Sequence, residues 1–157
     1  MDLSELKTRV MRAVDTLYAR DSDLFERDAS EWSIAHRLAV YLEYELPGWN
    51  VDCEYNRQGP GIAPKKGWNQ ESNECDKNVR PDISVHHRGR FERDHNLLVI
   101  ELKKKAADSD LKKACEYTNL PTPERPYQYQ FGLTLSVIDG PKMQWSENGK
   151  KNEDVQN

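Results

Sequence analysis

The chain lacks the features that stabilise small disulfide-rich proteins and those that anchor membrane proteins. Only three of its 157 residues are cysteine, at positions 53, 75 and 115, and no two of them form a CxxC pair. Three thiols cannot all pair within one chain, so we expect a reduced, cytoplasmic setting. No apolar run approaches the roughly 18 residues of a membrane span. The N-terminus also lacks the basic-then-apolar pattern of a signal peptide.

The chain has no excess of positive charge either. Its formal net charge is −4, which excludes a histone-like protein that binds nucleic acid through bulk charge but not a local basic face. Hydrophobic residues make up 36% of the chain, clustered in short blocks as in a globular domain. We expect one domain over residues 1–146. Residues 147–157, where Val155 is the one aliphatic side chain, are expected to form a frayed or disordered tail.

Hydrophobic periodicity predicts an α/β fold. Apolar residues at steps of three and four predict one helix over 3–17 and another from Ser30 to Leu46, with Ser30 as its cap. Residues 56–79, rich in Gly, Pro, Asn and Lys, are expected to form a long loop. The other predicted elements are strands over 49–55, 80–86, 97–103 and 129–138, a helix over 108–119 and a short edge strand over 142–145. This order predicts a mixed sheet flanked by helices.

The strands predicted over 80–86 and 97–103 are joined by a polar link, which is typical of an antiparallel hairpin. If the turn is centred near residue 91 or 92, opposed residues have numbers that sum to 183. Ile83 then opposes Ile100, and Asp82 opposes Glu101. One face of the pair is apolar, and the other gathers Asp82, Glu101 and Lys103.

Two carboxylates side by side repel each other unless a positive charge lies between them. Oxygen ligands with open positions suit Mg²⁺ or Mn²⁺. Lys103 follows Glu101 by two residues on the same face, where it can hold a water molecule that the metal makes more acidic. Glu31 lies at the top of the inward stripe of its helix, and it supplies a further carboxylate if that helix packs over this face.

These residues resemble the signature of the PD-(D/E)XK nucleases, because Pro81-Asp82 is followed, after eighteen residues, by Glu101-Leu102-Lys103 at the end of an apolar strand. The element order from about residue 30 to 138 is similar to the restriction-endonuclease-like αβββαβ core, with an extra N-terminal helix. The resemblance implies metal-dependent hydrolysis of nucleic-acid phosphodiesters, with DNA as the first choice of substrate and no membrane partner.

The same resemblance implies roles for four side chains. Asp82 and Glu101 are the implied metal ligands, Lys103 orients the water, and Glu31 matches the recurrent Glu of the first core helix as a further ligand. The implied cofactor is Mg²⁺, for which Mn²⁺ can substitute. In the branch that resembles the RecB nuclease domain, a Gln and a Tyr lie four residues apart in the next helix; here Lys113 and Tyr117 hold that spacing.

A basic patch adjoins this predicted site and is expected to contact phosphates. Its members are Lys104, Lys105, Lys112, Lys113, Arg57, Lys65 and Lys66. Trp68, in the same long loop, either stacks on a base or packs beneath the loop.

Three functions stay open at this level. The first is a small nuclease, and the second is a catalytically silent nuclease-fold module that binds nucleic acid or forms part of a complex. The third is a metal-dependent phosphoesterase that acts on another substrate. Its oligomeric state is open: the chain acts by itself, in a homodimer or within a larger complex. Cutting both strands of a duplex at once would need two active sites.

Overall fold

The structure is a computed structural model, which describes residues 1–55, 67–69, 74–76, 80–90, 92–105, 108–121 and 128–152. Its α-helices are α1 Leu3–Arg20, α2 Asp23–Glu26, α3 Glu31–Glu45 and α4 Asp108–Tyr117, and a 3-10 helix spans Arg93–His95. Its strands are β1 Asn50–Cys53, β2 Gly67–Asn69, β3 Glu74–Asp76, β4 Ile83–His86, β5 Asn96–Lys103, β6 Phe131–Ser136, β7 Lys142–Glu147 and β8 Lys150–Lys151.

Side-chain caps start the two long helices where the sequence predicts them. Asp2 Oδ1 accepts a hydrogen bond from Glu5 N at 2.8 Å, and Ser30 Oγ accepts one from Ser33 N at 3.2 Å. Each bond satisfies a backbone N–H that has no partner within its helix. The predicted helix at 108–119 is present as α4. The short helix α2 was not predicted, because its four residues carry no periodic stripe.

One mixed sheet organises the fold. Its strand order is β1-β4-β5-β6-β7-β8, and β5 and β6 are parallel whereas the other neighbours are antiparallel. The class is therefore α/β with a mixed sheet, as predicted, and within the described residues that sheet has six strands. Every residue of β5 from 96 to 102 is buried, which agrees with the central position expected for an apolar run.

The predicted register of the β4–β5 hairpin is confirmed in its middle. Ile83 opposes Ile100, and Val85 opposes Leu98. A bulge then shifts the register so that His86 opposes Asn96. Asp82 lies one residue before β4, outside the paired ladder, so its predicted direct opposition to Glu101 does not occur within the sheet.

Two segments differ from the prediction, one at the end of the sheet and one in the expected loop. The strand expected to form an edge at 142–145 runs to Glu147 as β7, and β8 pairs outside it. Sheet structure therefore reaches residue 151, where the sequence predicted a tail from 147. In the segment expected to be a long loop, β2 and β3 pair as a separate antiparallel ribbon. Strands this short, two to six residues, give little periodic signal.

Helices lie on both faces of the sheet. The core joins α1 and α3 to the apolar face that holds Ile83, Val85 and Ile100. On the other face α4 contacts β5, β6 and β7, and a Cβ at Gly132 would lie 2.7 Å from Ala114 O. Glycine at 132 therefore permits this close approach of helix and strand. No helix in the described ranges has the length and apolar character needed to cross a membrane.

A polar cluster fastens the end of α1 to α3. Tyr41, only 5% exposed, donates its hydroxyl hydrogen to Asp21 Oδ2 and accepts a hydrogen bond from Arg37 Nη2 at 2.7 Å. Arg37 Nε also lies 3.2 Å from Asp21 Oδ1. Because a buried polar group is costly without partners, the three side chains stabilise one another.

We expect Tyr41→Phe to lower the free energy of unfolding by about 1.5–3 kcal/mol, the usual worth of a hydrogen bond to a charged group. Tyr44→Phe is the matched control, because Tyr44 lies on the same helix and is 80% exposed. Urea denaturation of both variants measures the difference. Equal losses would mean that the Tyr41 hydroxyl does not fasten α1 to α3.

Candidate active site

Three elements meet at the carboxyl end of the central strand. Because β4 runs antiparallel to β5, the residue before β4 lies beside the last residues of β5. The first residue of α3 reaches the same place. This topology brings Asp82, Lys103 and Glu31 together, three of the four residues that the sequence selects for catalysis.

Asp82 is held by the backbone on two sides. Its Oδ2 accepts a hydrogen bond from Leu102 N at 2.7 Å, and its carbonyl oxygen accepts one from Glu54 N at 3.1 Å. The carboxylate therefore replaces a strand partner where the ladder ends. Its position is fixed by β1 and β5 rather than by the turn alone.

Glu31 is fixed by the same strand end. Its Oε1 accepts a hydrogen bond from Lys104 N at 2.8 Å, and its Oε2 accepts one from Lys103 Nζ at 3.3 Å. The cap at Ser30 starts α3 at this residue, so the side chain leaves the first turn of the helix towards β5. Both oxygens of Glu31 thus contact the end of the central strand.

Lys103 places its ammonium group between the two acids. Its Nζ lies 3.3 Å from Glu31 Oε2 and 3.7 Å from Asp82 Oδ2. The three side chains are 25%, 40% and 29% exposed in the order Lys103, Glu31, Asp82. The cluster is therefore partly shielded from water but open to a ligand.

Glu101 is more deeply buried than the other acids, at 4% exposure. It lies on the sheet face that α4 covers and opposes Thr134 of β6. Burial raises the pKa of Tyr117 on α4, and the negative charge of Glu101 raises it further. Tyr117 therefore belongs to the surroundings of this acid. Tyr117 is not among the site residues selected from the sequence, although its four-residue spacing from Lys113 is visible there.

The pKa values of Asp82 and Lys103 are both raised, for different reasons. Burial raises the pKa of Asp82, and this effect outweighs the hydrogen bond from Leu102 N and the positive charge of Lys103, which lower it. Partial burial would lower the pKa of Lys103, but the carboxylates of Asp82 and Glu31 raise it above its ordinary value. Lys103 is therefore protonated at neutral pH, whereas Asp82 bears its charge at a cost.

The predicted phosphate-binding lysines differ in their surroundings. Lys104 Nζ contacts Asp28, at 3.0 Å from its carbonyl oxygen and also at its carboxylate. Lys105, Lys112 and Lys113 are exposed, and the charge of Lys113 lowers the pKa of Asp82 slightly. The remaining predicted contacts lie outside the described residues: Arg57, Lys65, Lys66 and the side chain of Trp68.

The donor atoms suit a hard divalent cation, but their arrangement contains a complication. The carboxylates of Glu31, Asp82 and Glu101 offer the oxygen ligands that Mg²⁺ prefers. Within the part of the chain that the structure describes, no three His, Cys, Asp or Glu side chains are grouped to hold a metal. Instead Lys103 lies between two of the acids, so a cation binding there would have to displace its ammonium group or share the acids with it.

No protein-family model, curated protein or solved structure matches this chain. Assignment to a family therefore depends on the residues and the fold described above.

We expect Asp82→Asn to raise the free energy of unfolding at pH 7 without added metal, or at least to leave it unchanged, because the variant has no buried charge at this position. The gain should shrink as the pH falls through the raised pKa of Asp82 towards the ordinary value near 4. Folded wild type binds this proton more tightly than the unfolded chain does, so acid stabilises it relative to the variant.

Urea denaturation at several pH values in EDTA measures this difference. Asp15→Asn is the control, since Asp15 is exposed on α1 and its replacement should change stability little at any pH. A variant at Asp82 that is less stable than wild type at pH 7 would mean that its ion pair with Lys103 outweighs the cost of burial.

Proposed function

We propose that the chain is a metal-dependent nuclease of the PD-(D/E)XK superfamily that hydrolyses phosphodiester bonds of nucleic acid, with DNA the first choice. One observation carries the proposal: Glu31, Asp82 and Lys103 come from three separate elements and converge at the end of a buried central strand. These are residues that the resemblance selects from the sequence. Their convergence is not required by the sheet alone.

The fold supports the proposal. Read along the chain, α3, β1, β4, β5, α4 and β6 follow the order αβββαβ. Strand β4 is antiparallel to both β1 and β5, and β5 is parallel to β6. α1 is then the extra N-terminal helix, and the β2–β3 ribbon is an insertion between the first two strands of the core. A fold alone does not fix an activity, so the proposal depends on the site.

Each acid of the site has a role in this proposal. Asp82 and Glu101, assisted by Glu31, would hold Mg²⁺ or Mn²⁺. A bound divalent cation makes a water molecule more acidic and offsets charge that develops on the phosphate. Among the described residues Asp82 Oδ1 has no hydrogen-bond partner, whereas its Oδ2 accepts a hydrogen bond from Leu102 N. The backbone thus orients the carboxylate before any ligand arrives.

The role of Lys103 follows from its charge. A protonated ammonium group donates hydrogen bonds and accepts none. Because its pKa is raised, Lys103 would orient a water molecule or a phosphate oxygen and would not remove a proton at neutral pH. Exposed Lys105, Lys112 and Lys113 follow the end of β5 and would contact neighbouring phosphates.

A catalytically silent module is the second candidate. The position of Lys103 between Glu31 and Asp82 favours it, because the ammonium group already offsets one of the two negative charges without a metal. In that case the cluster fastens α3 to β4 and β5, and the basic surface binds nucleic acid or a partner subunit. The response to a divalent cation separates the two candidates.

We expect wild type to cleave DNA or RNA in the presence of Mg²⁺ or Mn²⁺. Asp82→Ala and Lys103→Ala should each lower the rate by at least about 100-fold, as removal of groups that stabilise a transition state does. The rates of cleavage of labelled single-stranded and duplex substrates measure this. Lys150→Ala, in exposed β8, is the control and should cleave as wild type does. Normal cleavage by Asp82→Ala would show that the site is wrong.

Thermal melts test metal binding without relying on activity. About 10 mM Mg²⁺ should stabilise wild type, by about 2.7 kcal/mol if that concentration is a hundred times the dissociation constant. Asp82→Asn should gain less, because it lacks a charged ligand. If both proteins respond equally to Mg²⁺, Asp82 does not bind it and the silent module becomes the better proposal.

A further inference from the structure

Trp32 presents a large aromatic side chain to solvent beside the candidate active site. It is 59% exposed although it lies in the first turn of α3. Its ring stacks with that of His36, one turn along the helix, with centroids 6.3 Å apart and planes inclined by 19°. The stacked pair forms an aromatic surface on the flank of α3, away from the buried stripe that contains Ile34 and Leu38.

The position of Trp32 ties this surface to the site. Trp32 directly follows Glu31, and successive Cα atoms are only about 3.8 Å apart. Glu31 is bonded to Lys103 Nζ and Lys104 N, so the turn that carries the indole is anchored to the end of β5. The indole therefore lies one residue along α3 from an acid of the three-residue cluster.

The size and chemistry of the surface decide what it fits. A stable protein partner covers about 800 Å² on each side, far more than one indole and one imidazole offer. The next exposed aromatic residue on α3, Tyr44, lies twelve residues away, about 18 Å along the axis. A single nucleobase is the right size, because bases of any sequence stack on aromatic side chains.

We propose that Trp32 stacks on an unpaired base of the nucleic acid held at Glu31, Asp82 and Lys103, an inference that rests on the proposed function. Inside a duplex each base is already stacked between its neighbours, and only the outer face of each terminal pair is open, so a single strand or a frayed end offers the most free faces to the indole. The substrate class is therefore single-stranded or end-frayed nucleic acid. The stacking with His36 orients the indole in advance, which lowers the entropic cost of binding.

Binding of a fluorescently labelled dT oligonucleotide, measured by anisotropy in EDTA so that no cleavage occurs, tests this inference. We expect Trp32→Ala to weaken binding about tenfold, Trp32→Phe to recover part of the loss, and binding of a blunt duplex to change by less than about twofold. Tyr44→Ala is the matched control, since Tyr44 is 80% exposed on the same helix. It should bind the oligonucleotide as wild type does.

Several results would overturn the inference. These are wild type that does not bind the oligonucleotide, Trp32→Ala that binds it as wild type does, and an equal loss of binding to the blunt duplex. A change in sedimentation for Trp32→Ala would instead assign the indole to a contact between protein chains. Failure of the proposed function would appear separately, as wild type that cleaves nothing with Mg²⁺ or Mn²⁺. The binding assay reports on Trp32 in either case.

Discussion

The hydrogen bond from Leu102 N to Asp82 is the interaction on which the site depends. The antiparallel ladder between β4 and β5 ends at Ile83 and Ile100, and a buried strand cannot leave a backbone N–H without a partner. The carboxylate of Asp82 supplies that partner at 2.7 Å. The strand's need for a hydrogen-bond acceptor thus holds the Asp82 carboxylate in place. Two residues further along the chain, Glu31 accepts the hydrogen bond of Lys104 N in the same way.

The sequence predicts those features of the arrangement that follow from hydrophobic periodicity. Pairing apolar with apolar residues leaves one register for Ile83 and Ile100, because a slip of one residue would turn every side chain to the other face. Helix α3 is predicted by the cap residue Ser30 and by the inward stripe of apolar residues. The bulge after Val85 has no such signal, since it changes a register locally without changing the pattern of hydrophobic residues.

In the candidate site too, the residues that can be selected from the sequence are those that belong to a recognisable pattern. Asp82 and Lys103 could be selected because they lie at the start and at the end of apolar strands, and Glu31 because it lies at the top of a buried stripe. Trp32 could not, because one aromatic residue on a helix flank belongs to no repeating pattern. The contact between Lys104 and Asp28 was also beyond reach, since it joins residues 76 positions apart, and only the packing of α3 against the strand end brings them together.

The sequence separation within the site has a consequence for how the molecule acquires it. Glu31 and Lys103 are 72 positions apart, and Asp82 and Leu102 are 20 apart. Closing loops of that length costs entropy that only the completed sheet and its helices repay. We therefore expect the cluster to assemble only after these distant segments have docked, because a nascent chain that has not yet emerged past Lys104 contains the acids but not the strand end that joins them.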